Sequence, residues 1–197
     1  AAAICRELDG LPLAIELAAP RLATFGVRGM ASRLDDRLRL LSLSQRAVWP
    51  RHKNIITALD WSYELLSLDH RRVFRRLAVF VGGFTLHAAT HVAANGIAAA
   101  DDILADLVEK SLVTTETVRG DIRFKFLETT RDFARAKLVD AGEARDLSTV
   151  HAEYFRNVMT NGQQSLGADF TTALAAELGN IRAALRWCLE MDGDKEI

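Results

Sequence analysis

His87 and His91 stand four residues apart in "LHAATHVAA", the spacing at which two imidazoles on one helix face can clamp a divalent metal. Neither has an adjacent glutamate, and His52, His70 and His151 are scattered along the chain, so no third ligand is in view and no metal site is expected. Cys5 and Cys188 lie near opposite ends in no metal-ligand spacing and read as inert core thiols of a reducing, cytoplasmic setting. The densest positive charge is "HRRVFRR", from His70 to Arg76, a helix face whose Val73 and Phe74 point inward while its charges snorkel to water. The sequence holds no G-x-x-x-x-G-K-[ST] phosphate loop, no G-x-G-x-x-G after a strand, no H-E-x-x-H and no nucleophile elbow. No catalytic residue is therefore assigned, and this stretch by itself is not expected to be an enzyme.

With 197 residues and a formal net charge of −1, the chain has room for two or three small domains and no global attraction to nucleic acid or anionic membrane. It opens at Ala1 inside a helical pattern, with no initiator Met, signal peptide or bilayer-length apolar run, and is expected to be a piece of a longer protein without a membrane partner. Ile4, Leu8, Leu11, Ile15, Ala18 and Leu22 recur at helical steps broken at Asp9-Gly10; Pro12 opens the second helix and Pro20 kinks or stops it. A third short helix covers Met30 to Leu41, completing a small helical subdomain over 1–45, and Ser42 to Lys53, which includes Pro50, reads as a linker.

A second unit, 54–142, starts with a helix that carries Ile56, Leu59, Tyr63 and Leu66 on one face. Ser67 caps the next helix, which buries Val73, Phe74, Leu77 and Phe80 and ends at Gly82-Gly83. Helices over Leu86 to Ala94 and Asp101 to Lys110 come next. The period then changes to two: "SLVTTETVRGDIRFKFLE" predicts two strands around Arg119-Gly120-Asp121, with Ile122, Phe124 and Phe126 on one face and Arg123, Lys125 and Leu127 on the other. A helix over Thr130 to Ala141 closes a winged-helix plan. In 145–197, Val150, Tyr154 and Val158, then Leu174, Leu178, Ile181, Leu185 and Cys188, mark the two faces of a helical hairpin, the start of a TPR-like superhelix. The expected fold class is mostly α: a helical subdomain, a winged helix with one β-hairpin, and the start of a helical repeat.

The order "LDGLPLAIELAA", "LDWSYELLS", "LAVFVGGFTLHAA", "LVEKSLV", "RFKFLETTRDFARAKL" resembles the C-terminal half of the nucleotide-binding module of STAND proteins. These are the signal-transduction ATPases that include NB-ARC domains, and the likeness is greatest to the actinobacterial transcriptional regulators among them. The resemblance implies an upstream P-loop ATPase core in cis, downstream helical repeats, an inducer or protein partner, and ATP or ADP with Mg bound by the intact protein, with no cofactor on this piece alone. It also implies that Leu11 and Pro12 form part of an adenine pocket. Where many relatives carry Met-His-Asp beside the β-phosphate of ADP, this chain has Phe126, Leu127 and Glu128, so the histidine position is Leu127, which cannot hydrogen-bond a phosphate. Arg123 and Lys125, on one face of the neighbouring strand, are the cations left to meet phosphate there, and Glu128 charges the start of the following helix.

Winged-helix topology implies that "DDILADLVEK" occupies the recognition position, yet it holds Asp101, Asp102, Asp106 and Glu109 against one base, Lys110. Such a helix repels phosphates, so DNA contact is expected only through other domains of the parent protein. The functional expectation is a regulatory piece that couples nucleotide state to domain rearrangement; the alternative is a docking module with no nucleotide dependence.

Overall fold

The computed structural model describes residues 50–118, 120–166 and 170–193, together with Ile15, Ala19, Gly26 and Gly29. Leu11 and Pro12 lie outside the described residues, as do the expected kink at Pro20 and the helix over Met30 to Leu41. Two compact units divide the described chain: one holds residues up to Ser67 with Glu109–Leu112, the other Leu68–Val108 and Val113 onward.

In the first unit, α1 (Pro50–Glu64) starts at Pro50, inside the stretch whose lost periodicity suggests a linker. A proline in the first helical turn has no amide hydrogen to leave unpaired, so the helix begins on it. Thr57, Ala58, Leu59, Trp61, Ser62 and Leu66 are buried, whereas Ile56 and Tyr63 of the expected face are half-buried.

The second unit begins with α2 (Leu68–Leu77), which carries Asp69 in its first turn and Arg75 and Arg76 in its last, the charge order that favours a helix dipole. Val73, Phe74 and Leu77 are buried as their spacing predicts. The chain tightens through the 78–80 turn and reverses at Gly82, whose φ of +93° suits glycine. Gly83 was expected to end the helix; instead Gly83–Phe84 forms a short strand, β1, paired antiparallel with β3, Phe84 opposite Phe124. Two residues carry too little periodicity to be read as a strand, and only the long-range pairing makes them one.

Thr85 then caps α3 (Leu86–Ala88), its hydroxyl accepting from the Ala88 amide at 3.1 Å, and the helix widens into a π turn over Ala89–Ala93. Next come α4 (Ala100–Glu109), β2 (Thr114–Val118), β3 (Asp121–Lys125) and α5 (Glu128–Asp140). The strands stand in the order β1-β3-β2, with Gly120 at φ +92° in the turn between β2 and β3. Phe80 and Phe84 stack at 4.8 Å between ring centroids, and Phe155 meets Phe80 edge-on at 6.4 Å, extending this core into the C-terminal hairpin. Phe74, Phe80, Phe84 and Phe155 are each essentially inaccessible to water, and burying one such ring contributes about 2–3 kcal/mol.

The hairpin consists of α6 (Ala144–Leu166) and α7 (Phe170–Gly193). Its inward faces differ from those expected. On α6, Leu147, His151, Ala152 and Phe155 are buried among the described residues, while Val150, Tyr154 and Val158 are half-buried. On α7, Ile181 is buried with Asn180 and Ala184, but Leu178 and Leu185 are exposed and Cys188 is an exposed free thiol, not a core residue. The inward face of α7 carries Asn180, whose side chain bonds Glu177, the Gly83 carbonyl and the Val81 amide. No helix among the described residues is long and apolar enough to cross a membrane.

Candidate functional site at the winged helix

Pairing of β2 with β3 places Glu116 opposite Arg123 and Thr114 opposite Lys125, all on one sheet face. The alternation of β3 is as its sequence predicts, and Phe124 and Phe126 meet the buried rings of Phe84 and Phe74 at 6.1 and 5.3 Å between centroids, but two positions depart from the pattern: Ile122 is 61% exposed, whereas Arg123 is 7% exposed. The arginine turns inward because α7 brings it acceptors. Its Nη1 donates to Glu177 Oε1 at 2.6 Å, and its Nη2 donates to the carbonyls of Gly83 at 3.0 Å and Ala176 at 3.3 Å. Glu177 Oε2 accepts from Asn180 Nδ2 at 2.8 Å, which also donates to the Gly83 carbonyl at 3.0 Å, while Asn180 Oδ1 accepts from the Val81 amide at 2.7 Å. A closed polar clamp thus ties β1, β3 and α7 together. Gly179 permits it: a Cβ there would stand 2.5 Å from the Val81 carbonyl oxygen.

Lys125 pairs with Glu116 on the same strand ladder, with both side chains about two-fifths exposed. Leu127 occupies the N-cap of α5 in extended conformation and gives no side-chain cap; its carbonyl accepts from the Arg131 amide at 2.9 Å. Arg123 and Lys125 therefore share a face but meet different carboxylates, and the structure does not bring either to Leu127 by any hydrogen bond. Glu128 stands in the first turn of α5, where its charge complements the helix dipole.

On α4, Ile103, Leu104 and Leu107 are buried. That leaves Asp101, Asp102 and Glu109 exposed and Asp106 half-exposed, so the outward face of the helix at the recognition position is acidic. His70 Nε2 lies 3.1 Å from Asp106 Oδ2. The basic stretch on α2 does not simply snorkel: Arg75 Nη2 and Arg76 Nε donate to the two oxygens of Glu143 at 2.5 and 2.8 Å. Burial alone would raise the Glu143 carboxyl, but these two guanidinium hydrogen bonds outweigh it and hold the group below the usual carboxylate range. Glu143 lies after Gly142, where sequence reasoning saw only the end of a helix.

The two spaced histidines do meet. Their rings lie 3.9 Å apart, His91 Nδ1 bonds the His87 carbonyl at 2.9 Å, and His87 Nδ1 is 2.8 Å from the Tyr154 hydroxyl. Burial, and then the His91 charge, push His87 below the ordinary histidine value. Among the described residues, no group of three or more metal-ligating side chains is present.

Residues 66–139 match the family model described as a winged helix-turn-helix domain, in agreement with the helix and strand order above. Over 193 residues the chain is 39% identical to a Mycobacterium tuberculosis protein named "Putative HTH-type transcriptional regulator Rv0890c", and equally to its Mycobacterium bovis counterpart Mb0914c. These alignments take in 95% of this chain but only 22% of the relatives, so the chain spans about a fifth of their length. It is also 40% identical over 150 residues to the uncharacterized Mycobacterium tuberculosis protein Rv0894, covering 72% of this chain and 37% of that protein.

Proposed function

We propose, from the winged helix-turn-helix domain formed by residues 66–139, that this chain is part of a bacterial transcriptional regulator in which the winged helix serves as a moving regulatory element rather than as the reader of DNA. The observation that carries this reading is the Arg123–Glu177–Asn180 clamp, which spends the most buried cation of the wing on the helical hairpin. A wing strand built to hold DNA would present its arginine to phosphate, since Lys and Arg neutralisation supplies most of the affinity. The acidic outward face of α4 supports the same conclusion. DNA contact then falls to other parts of the parent protein.

The finer reading is a STAND-type switch. An ATPase core upstream, with ATP or ADP and Mg, would alternate between two packings against this piece, and downstream repeats carrying an inducer would bias the choice, a two-state element shifted by ligand. Leu11 and Pro12 would touch the adenine. Of Arg123 and Lys125, Lys125 is the more accessible; Arg123 would meet a phosphate only by leaving Glu177. This chain's own contribution is mechanical, and no reaction step is assigned to it. The rival reading, a docking module without nucleotide dependence, shares the clamp but not the adenine contact.

Calorimetry with ATP and ADP tests the switch on the parent protein. Binding that Pro12→Ala weakens supports it, and no binding by a well-folded parent leaves the docking module. Fluorescence anisotropy of this chain against duplex DNA tests the first claim: salt-dependent binding lost on neutralising wing cations would return the winged helix to DNA reading.

A further inference from the structure

A cavity of about 340 Å³ opens between α5, α6, α7 and the Ala78–Val81 turn. Three arginines line it, Arg131 and Arg135 from α5 and Arg186 from α7, against one carboxylate, Glu190. Trp187 forms part of the wall, fixed by its indole N–H donating to Thr149 Oγ1 at 3.3 Å, and alanine, valine and leucine side chains supply the apolar remainder.

Two features make this more than a basic surface. Arg131 and Arg135 are one helical turn apart, so their like charges face the same space and destabilise each other. Burial, and then Arg135, push the Arg131 guanidinium below its ordinary value, and the nearby carboxylates of Asp132 and Glu128 offset this only in part. In addition, the buried Nε of Arg131 and Nε2 of His151 have no hydrogen-bond partner, although His151 is only 2% exposed. Buried polar atoms left unpaired are costly, and both of these lie on the cavity, where a polar group that enters would satisfy them. The cavity lies within the range of small-molecule pockets, and its combination of apolar wall, indole and convergent cations suits a ligand with a flat body and an anionic head.

We propose that this cavity binds a small organic anion, a ring-bearing phosphate or carboxylate. Its oxygens pair with Arg131 and Arg135, and its ring lies against Trp187. His151 Nε2 meets a polar atom at the inner end, and Arg186 closes the outer side. The site sits where α5 of the winged helix meets the hairpin, so an occupant would stiffen that junction. This inference stands apart from the nucleotide switch and does not require the ATPase core.

The test uses the 197-residue chain labelled with ¹⁵N and titrated with phenyl phosphate, benzoate and inorganic phosphate, each against sodium chloride of matched ionic strength. Saturable shifts of the Trp187 indole and Arg131 Nε–H resonances by phenyl phosphate or benzoate, weakened at least tenfold in Arg131→Gln/Arg135→Gln, are expected. Which of the two binds more tightly identifies the head group. Arg156→Gln, on the exposed side of α6, serves as the control and should leave the affinity unchanged. Absence of saturable shifts in the folded chain, the same response to sodium chloride, or equal loss in the Arg156 control would each overturn the proposal. If the double variant fails to fold, Trp187→Leu with Arg186→Gln replaces it and must weaken phenyl phosphate more than inorganic phosphate.

Discussion

Arg123 and Glu177 meet at 2.6 Å with side chains only 9% and 13% exposed, so the wing strand and the second hairpin helix share a buried ion pair. Removing one partner of such a pair leaves an uncompensated buried charge, whereas replacing both with apolar groups of similar size is often tolerated. Arg123→Met alone should cost about 3–5 kcal/mol, and Arg123→Met with Glu177→Leu should recover most of it. Urea denaturation of the two singles and the double, taken as a cycle, measures this; additive losses would mean the pair is not the unit.

Gly179 offers a steric test of the same junction. A methyl at this position would lie 2.5 Å from the Val81 carbonyl oxygen, on backbone that cannot swing away as a side chain would. Gly179→Ala should therefore destabilise by about 1–3 kcal/mol in spite of alanine's better helix propensity. A gain in melting temperature would show that α7 does not approach Val81 this closely.

His151 predicts a pH dependence. Burial lowers its pKa from 6.5 to about 4, so the unfolded chain binds the proton more readily than the folded one. Its contribution to stability is present above pH 6.5 and is lost as pH falls toward about 4, at most about 3 kcal/mol. His151→Gln should flatten the stability profile across that window, since glutamine does not titrate, while the carboxylates continue to titrate in both proteins. Equal slopes for the two proteins would refute a buried neutral histidine.

Lys125 and Glu116 supply the contrast. Both side chains are about two-fifths exposed, and a solvent-screened pair of this kind contributes less than about 1 kcal/mol. Lys125→Ala should leave the denaturation midpoint nearly unmoved, and a loss matching that of Arg123→Met would contradict the division between the two cations.

The acidic face of α4 can be reversed. Asp101→Lys, Asp102→Lys and Glu109→Lys alter only exposed positions, so the fold should persist while affinity for duplex DNA appears and falls steeply with salt, by a logarithmic slope of about −0.9 for each phosphate engaged. Unchanged anisotropy in the triple variant would indicate that this helix is not positioned to meet a groove at all.

Much of the architecture was legible along the chain because it depends on local periodicity. The change from a 3.6-residue to a two-residue period at Ser111 to Phe126 marks the hairpin, and Gly120 and Gly142 mark a turn and a helix end through their backbone freedom. Periodicity also placed Val73, Phe74 and Leu77 inside and made α4 acidic on its outer face. It grouped Phe124 and Phe126 on the face that meets Phe84 and Phe74, but could not say that Arg123 on the other face is buried as well. An isolated strand offers Arg123 to water; the carboxylate of Glu177, 54 residues away, and the carbonyl of Gly83, 40 residues away, draw it in. The same holds for β1, which exists only because β3 pairs with it, and for α7, whose inward face brings Asn180 and Gly179 against Val81. Hydrophobic spacing along a segment is written in neighbouring residues, so the sequence by itself determined the elements. Pairing of buried polar groups joins residues far apart in the chain, and only the tertiary structure decided it.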